Sequence, residues 1–209
     1  MRLASWKSSG TALGVMGGVA IFLSAIAAPP RPLTEQTAPA GVQLFLDPSQ
    51  CKVHYMVDST LHTVHGTFNV KSGTMTFDPA SGKASGEVVV YATSGDSGNS
   101  SRDERMHKEI LETWKYPDAT FRPTQVVGVV ALTGTSDVKV KGIIHLHGQD
   151  HDIVALAHAE IAADHWMGSA KFDVPYIQWG IKDPSNWLLR VKPVVNVELQ
   201  MAGTVKPAN

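Results

Sequence analysis

The chain has 209 residues, of which 43% are hydrophobic and 18% are charged, and its formal net charge is −1. This composition is ordinary for a folded protein and excludes wholesale disorder. The charge balance also argues against a nucleic-acid-binding surface, which would need a basic excess. The length is sufficient for one domain of good size with a substantial core.

Residues 1–28 have the pattern of an export signal. Arg2 and Lys7 give a positively charged start, residues 11–28 are uncharged and mostly apolar, and Ala25-Ile-Ala27 fits a small-x-small cleavage site. This pattern predicts export to the periplasm or the extracellular space. The alternative is an uncleaved anchor, because the apolar run is close to the lower limit for spanning a bilayer. We expect membrane attachment only through such an anchor.

Residues 29–41 are rich in proline and lack periodicity, which is typical of a linker. We therefore expect the folded domain to occupy residues 42–203 and residues 204–209 to form a tail. Cys51 is the only cysteine, so no intrachain disulfide can form. The sequence favours a structural, partly or fully buried thiol over a catalytic one.

From residue 42 onwards apolar residues recur with a period of two, the pattern of β-strands. Residues 64–70 alternate in this way, and after an expected turn at Ser72-Gly73 the alternation resumes at Met75 and Phe77. Further strands are predicted at residues 87–93, 120–130, 138–146, 152–161, 166–174 and 194–201.

One amphipathic helix is predicted between the strands. Ser101 and Glu104 have the spacing of a capping box, and Pro117 is expected to end the helix because a residue preceding proline is pushed out of the helical region. The apolar face of the helix must be covered by a partner. This face consists of Met106, Ile110, Leu111 and Trp114.

About eight to ten short strands with hairpin-length gaps predict an all-β fold, either an antiparallel sandwich or a barrel. Parallel βαβ units are excluded because crossover helices are missing from the sequence pattern. Periodicity alone does not separate a sandwich from a barrel.

Several separated segments resemble those of a known family and occur in the same order. They are Thr63-Val-His-Gly-Thr-Phe68 with Gly73-Thr-Met-Thr-Phe77, Arg102-Asp103, Tyr116-Pro117 with Phe121, Ile144-His-Leu-His-Gly148, and Trp179-Gly-Ile181. From Cys51 to Ala202 the chain is similar to the YceI-like family of exported bacterial proteins. The resemblance implies an antiparallel lipocalin-like β-barrel of about eight strands with one amphipathic helix, able to hold a polyisoprenoid chain.

The chain also departs from the pattern of this family around the helix. Arg105 stands roughly where family helices carry a histidine, and Ile110-Leu111 replaces a pair of phenylalanines. Residues 182–186 lengthen the turn after Gly180-Ile181. These differences fall in the expected lid, so the resemblance implies the fold more directly than it implies the ligand.

An eight-stranded barrel is just wide enough to be filled by side chains or to hold one slender ligand. We expect an isoprenoid or fatty-acyl lipid inside the barrel, in a carrier or sequestering role. The alternative is a packed barrel that serves as an envelope interaction module without a ligand, and a homodimer is left open. Candidate lumen or lid residues are Phe68, Phe77, Met106, Ile110, Leu111, Trp114, Tyr116, Phe121, Val140, Leu146, Phe172 and Trp179.

Metal binding and catalysis are not expected from the sequence. His145 and His147 are two residues apart on a predicted strand, with His151 across a short turn, and this spacing is capable of binding a metal. However, the same face carries lysines, so we expect these histidines to face solvent or the rim of the barrel. The chain also lacks the common catalytic motifs. We therefore predict no metal site, no cofactor and no enzymatic activity.

Overall fold

The computed structural model describes residues 41–207, and this part of the chain forms nine antiparallel strands and one short helix. The strands are β1 (Val42–Leu46), β2 (Lys52–Asp58), β3 (Thr63–Phe77), β4 (Ala84–Asp96), β5 (Asp118–Val127), β6 (Gly134–Leu146), β7 (Gln149–Ile161), β8 (His165–Val174) and β9 (Val195–Pro207). The helix α1 (Ser100–Arg105) continues directly into a π-helical turn, Met106–Ile110. These two parts together are called the helical segment.

The nine strands occupy eight positions around a closed barrel. From β3 to β9 each strand pairs with the next, and both β1 and β2 pair with β3 and β9. The segment Pro48–Gln50 separates β1 from β2 because it forms a tight turn, in which the Asp47 side chain accepts a hydrogen bond from Ser49 N at 3.0 Å. The structure therefore confirms the predicted all-β barrel.

The turn expected at Ser72-Gly73 is wrong, because β3 runs without a break through these residues. Val70 pairs with Val90 and Ser72 pairs with Val89, so Lys71 is one extra residue on β3. Such a β-bulge reverses which residues face inward. The apolar alternation therefore changes phase between Val70 and Met75, and the sequence pattern resembles two strands joined by a turn.

The chain end also differs from the predicted tail at residues 204–209, because β9 continues to Pro207. Its last residues pair with β1, from Leu46 with Gly203 to Val42 with Pro207. A side chain at position 203 would overlap the carbonyl oxygen of Phe45, so glycine is needed where β1 approaches β9. The predicted signal or anchor at residues 1–28 and nearly all of the linker lie outside the described residues.

The helical segment differs from its prediction at both ends. Its N-cap is Asn99, whose side chain accepts a hydrogen bond from Arg102 N at 3.0 Å, whereas Glu104 pairs with Lys108 instead of completing a capping box. Glu112 follows with a φ of 45°, which ends the helix five residues before Pro117. Among residues 41–207, no helix has the length and apolar composition needed to cross a bilayer.

The two ends of the barrel have different apolar clusters. The helix end, where α1 and the segment 175–194 lie, contains the buried cluster Val174, Tyr176 and Ile181. The opposite end, with the turns at residues 78–83 and 162–164, contains much of the main core, in which Trp166 is 3% exposed. Trp166 also donates a hydrogen bond from Nε1 to Phe45 O at 3.2 Å.

Candidate functional site: an apolar cavity inside the barrel

The interior of the barrel holds a cavity of about 470 Å³. Small side chains on the inner face of β7 contribute to this space, because Ala155 and Ala157 line the cavity. The larger neighbours Val154 and Leu156 face outward and are 50% and 60% exposed. Alanines therefore leave room in the middle of the barrel that valine or leucine side chains would fill.

Nine of the twelve candidate residues line this cavity. The aromatic rings come from three strands, with Phe68 and Phe77 on β3, Phe121 on β5 and Phe172 on β8, and the helical segment with its C-cap contributes Met106, Ile110 and Leu111. The remaining two of the nine are Val140 and Leu146, both on β6. The apolar face of the helical segment therefore covers one end of the lumen.

Trp114 does not pack over the lumen, which corrects the prediction. The π-helical turn and the positive φ of Glu112 end the helix before residue 114, so the spacing of four residues from Ile110 no longer places both side chains on one face. Trp114 is 75% exposed as a result.

Tyr116 and Trp179 also lie outside the cavity lining. Tyr116 packs against the imidazole of His147, with ring centroids 4.7 Å apart. Trp179 stacks on His151 with centroids 4.1 Å apart and packs against the buried cluster at the helix end. Both aromatic residues thus support the wall of the helix end from outside the lumen.

The three histidines considered for a metal site are separated in the structure. His147 lies in the two-residue turn His147-Gly148, in which both residues have a positive φ, and not on the face of β6 that carries His145. His145 Nδ1 lies 2.7 Å from Asp150, and His147 Nε2 lies 2.8 Å from Glu112. Within residues 41–207, no three potential ligands are grouped so that they could hold a metal ion.

Cys51 is buried and lies in the chain segment that joins β1 to β2. Its Sγ donates a hydrogen bond to Ala202 O at 3.5 Å, and burial raises the pKa of the thiol. A thiol that is buried and protonated is a poor nucleophile. Its position is that of a structural side chain.

Two tyrosines that line the cavity, Tyr55 and Tyr176, are buried. Tyr55 Oη donates to Met106 Sδ at 3.7 Å, and burial raises the pKa of this phenol. Tyr176 is 5% exposed and its hydroxyl has no hydrogen-bond partner among the described residues. Burial raises the pKa of Tyr176 to about 12.

We predict that Tyr176→Phe stabilises the protein by about 1 kcal/mol at neutral pH, because a buried hydroxyl without a partner costs free energy that phenylalanine avoids. The pKa of Tyr176 is about 12 in the folded protein and about 10 in the unfolded chain, so the unfolded chain ionises first and the stability of the unmodified protein falls as pH rises from about 10 towards 12. The advantage of the variant should therefore grow above pH about 10. Urea unfolding at neutral and alkaline pH measures both effects. Tyr91→Phe, at an exposed ring, is the matched control; a clear destabilisation by Tyr176→Phe would contradict the prediction.

An ion pair holds the helical segment to the segment 175–194. Lys182 Nζ lies 2.8 Å from Glu109 Oε2, and this hydrogen bond is the main reason why the pKa of Glu109 is lowered. On the other side, Glu112 contacts His147 in the β6–β7 turn. The helical segment that covers the lumen is thus attached both to the segment 175–194 and to the β6–β7 turn.

Several lining residues were not identified from the sequence. Ala155, Ala157 and Trp166 line the cavity, as do Arg102 and Arg105. On β7 the signal is present but ambiguous, because alanine alternates with valine and leucine and both faces look apolar. Only the closure of the barrel shows that the alanines face inward.

A closed antiparallel barrel of eight strand positions around an apolar cavity defines a class of small lipocalin-like barrels. The sequence places the chain within this class: residues 45–203 match the model of the YceI-like domain. The chain belongs to the YceI-like family.

Known relatives agree with this assignment. A UPF0312 protein of Vibrio cholerae is 32% identical over 146 residues, which cover 68% of this chain and 75% of the relative. BcnA of Burkholderia cenocepacia has a similar structure, with a TM-score of 0.62 at 15% identity, covering 76% of this chain and 99% of BcnA. A polyisoprenoid binding domain from Saccharophagus degradans, implicated in plant cell wall breakdown, gives a TM-score of 0.56 at 16% identity, covering 80% of this chain and 99% of that domain. At such identities the two structures show a shared fold.

Proposed function

We propose that this protein is an exported, non-enzymatic lipid-binding protein that holds the chain of an isoprenoid-type or other amphipathic lipid inside its barrel. The observation that carries the proposal is the cavity of about 470 Å³, whose lining is almost entirely apolar. This volume falls within the range of small-molecule sites in proteins. The polyisoprenoid binding domain with the same fold supports the choice of ligand class, and the pattern of residues 1–28 supports export.

The driving force for such binding is the burial of hydrocarbon. Each methylene group transferred from water to the lumen contributes about 0.8 kcal/mol. Burying several such groups therefore outweighs the modest net free energy of one hydrogen bond. A packed barrel acting only as an interaction module is the alternative, and the cavity argues against it because packed interiors contain few voids larger than a water molecule.

Native mass spectrometry of the protein isolated without detergent, with organic extraction alongside, tests the proposal directly. We expect a stoichiometric adduct that extracts as an isoprenoid or acyl lipid.

Trp166 provides a second readout, because it lines the cavity and is buried, whereas Trp114 and Trp187 are 75% and 89% exposed. A fatty acid with a nitroxide near the chain end should therefore quench Trp166 fluorescence in a variant in which the other tryptophans are replaced by phenylalanine. A bare protein mass together with no quenching by added probe would reject the proposal.

A further inference from the structure

The charges around the cavity are distributed unevenly. Among the described residues that line it there is no aspartate, glutamate or lysine, and the two side chains that carry a full charge are Arg102 and Arg105. Both arginines lie on the helical segment, three residues apart, so they are neighbours on one face. The other polar lining residues are two histidines and side chains with uncharged hydroxyl groups. An otherwise apolar cavity thus has a positive charge at its helix end.

Arg102 is held in a defined position. Its Nε donates to Ser97 Oγ at 2.7 Å and its Nη2 donates to Ser97 O at 2.8 Å. The backbone N–H of Ser97 also donates to Asp103 at 2.9 Å, which anchors the same loop. These bonds occupy one edge of the guanidinium, and Nη1 makes no hydrogen bond within residues 41–207. The positive charge is therefore oriented before any ligand arrives.

Arg105 has little engagement within the protein. Its closest carboxylate contact joins Nε to Glu109 Oε2 at 3.7 Å, and Glu109 is already paired with Lys182 at 2.8 Å. The Arg105 side chain lines the cavity and is also 42% exposed, so part of it faces the lumen and part of it faces solvent. A head group here would meet the fork of donors with which guanidinium binds carboxylates and phosphates.

We infer that Arg102 and Arg105 form a head-group site that selects single-chain lipids with an anionic head, a carboxylate or a phosphate monoester, whose chain occupies the cavity. This inference rests on the proposed function and makes it more specific. The nearby carboxylates of Asp103 and Glu109 are bound to Ser97 and Lys182, so the arginines remain available for an anion. Because the site borders an apolar cavity, ion pairing there is screened less than on an open surface.

The test compares pairs of probes that differ only in the head group, using the delipidated protein at pH about 8, where carboxylic acids are ionised. Hexadecanoic acid is paired with hexadecanol, and farnesyl phosphate with farnesol. We expect the anionic member of at least one pair to bind about tenfold or more tightly than its alcohol. The pair with the larger preference identifies the head group, and raising the salt concentration should reduce that preference.

Variants assign the preference to the helical segment. Arg105→Gln should remove most of the preference for the anionic probe and leave only the part due to Arg102, while the alcohol binds as before, and Arg105→Lys should retain more of the preference. Lys108→Gln is the matched control, because Lys108 lies on the same segment but is exposed and pairs with Glu104 at 2.6 Å. Equal affinities for acid and alcohol in both pairs of the unmodified protein would overturn the head-group site and leave the proposed function standing. A failure of all four probes to bind would overturn both.

Discussion

Trp166→Ala should lower the free energy of unfolding by about 3–5 kcal/mol, the usual cost of truncating a buried tryptophan. The indole is 3% exposed at the end of the barrel opposite the helix, where it packs in the main core cluster. It also donates a hydrogen bond from Nε1 to Phe45 O, which ties β8 to β1. The truncation removes this link and enlarges the cavity. Urea unfolding followed by circular dichroism measures the change.

Trp187→Ala is the matched control for this prediction. Trp187 is also a tryptophan, but it lies in the segment 175–194 and is 89% exposed. Exposed positions usually change stability by no more than about 0.5 kcal/mol. Similar losses for the two variants would show that the burial of Trp166 does not contribute as inferred.

Ala155→Trp should block lipid binding while leaving the barrel folded. Ala155 lies in the middle of β7, is 4% exposed and lines the cavity, so an indole at this position would occupy the space of the ligand chain. Displacing about four methylene groups costs about 3 kcal/mol of binding free energy, or roughly a hundredfold in affinity. Because the indole enters an existing cavity, the usual penalty of overpacking a filled core should be reduced. Binding of a labelled fatty acid measures the loss.

Leu156→Trp is the control for the blocked lumen, since residue 156 is the next residue on β7 and its side chain is 60% exposed on the outer face. We expect this variant to bind the probe with unchanged affinity. If both variants lost binding equally, general damage to β7 would explain the result. If Ala155→Trp bound normally, the ligand chain would have to lie elsewhere.

Arg105 differs from the family pattern and also lines the cavity. The sequence identified this residue as a departure from the family pattern in the helix, but it contained no sign of where the side chain would lie. Arg105 lines the cavity because the helical segment covers one end of the barrel, and Glu109 is taken up by its pair with Lys182. These are tertiary relations between segments that are far apart in the chain.

The all-β class, most of the strands and the residue types of the lumen follow from the amino-acid sequence alone. Period-two alternation follows directly from the geometry of a strand, so Phe68, Phe77 and Phe172 were correctly placed on strands. The helical segment was also located, because an apolar repeat of about four residues is distinct from the strand pattern.

The faces that point inward and the ends of the elements depend instead on contacts between distant parts of the chain. The bulge at Lys71 depends on the pairing of β3 with β4, and the joining of β1 and β2 into one barrel position depends on β9. Likewise, Trp114 faces solvent because Glu112 adopts a positive φ in the connection to β5. The same physical reason applies to these cases. Alternation along the sequence shows that a strand has two faces, whereas closure of the barrel, through contacts between residues distant in sequence, selects the face that encloses the cavity.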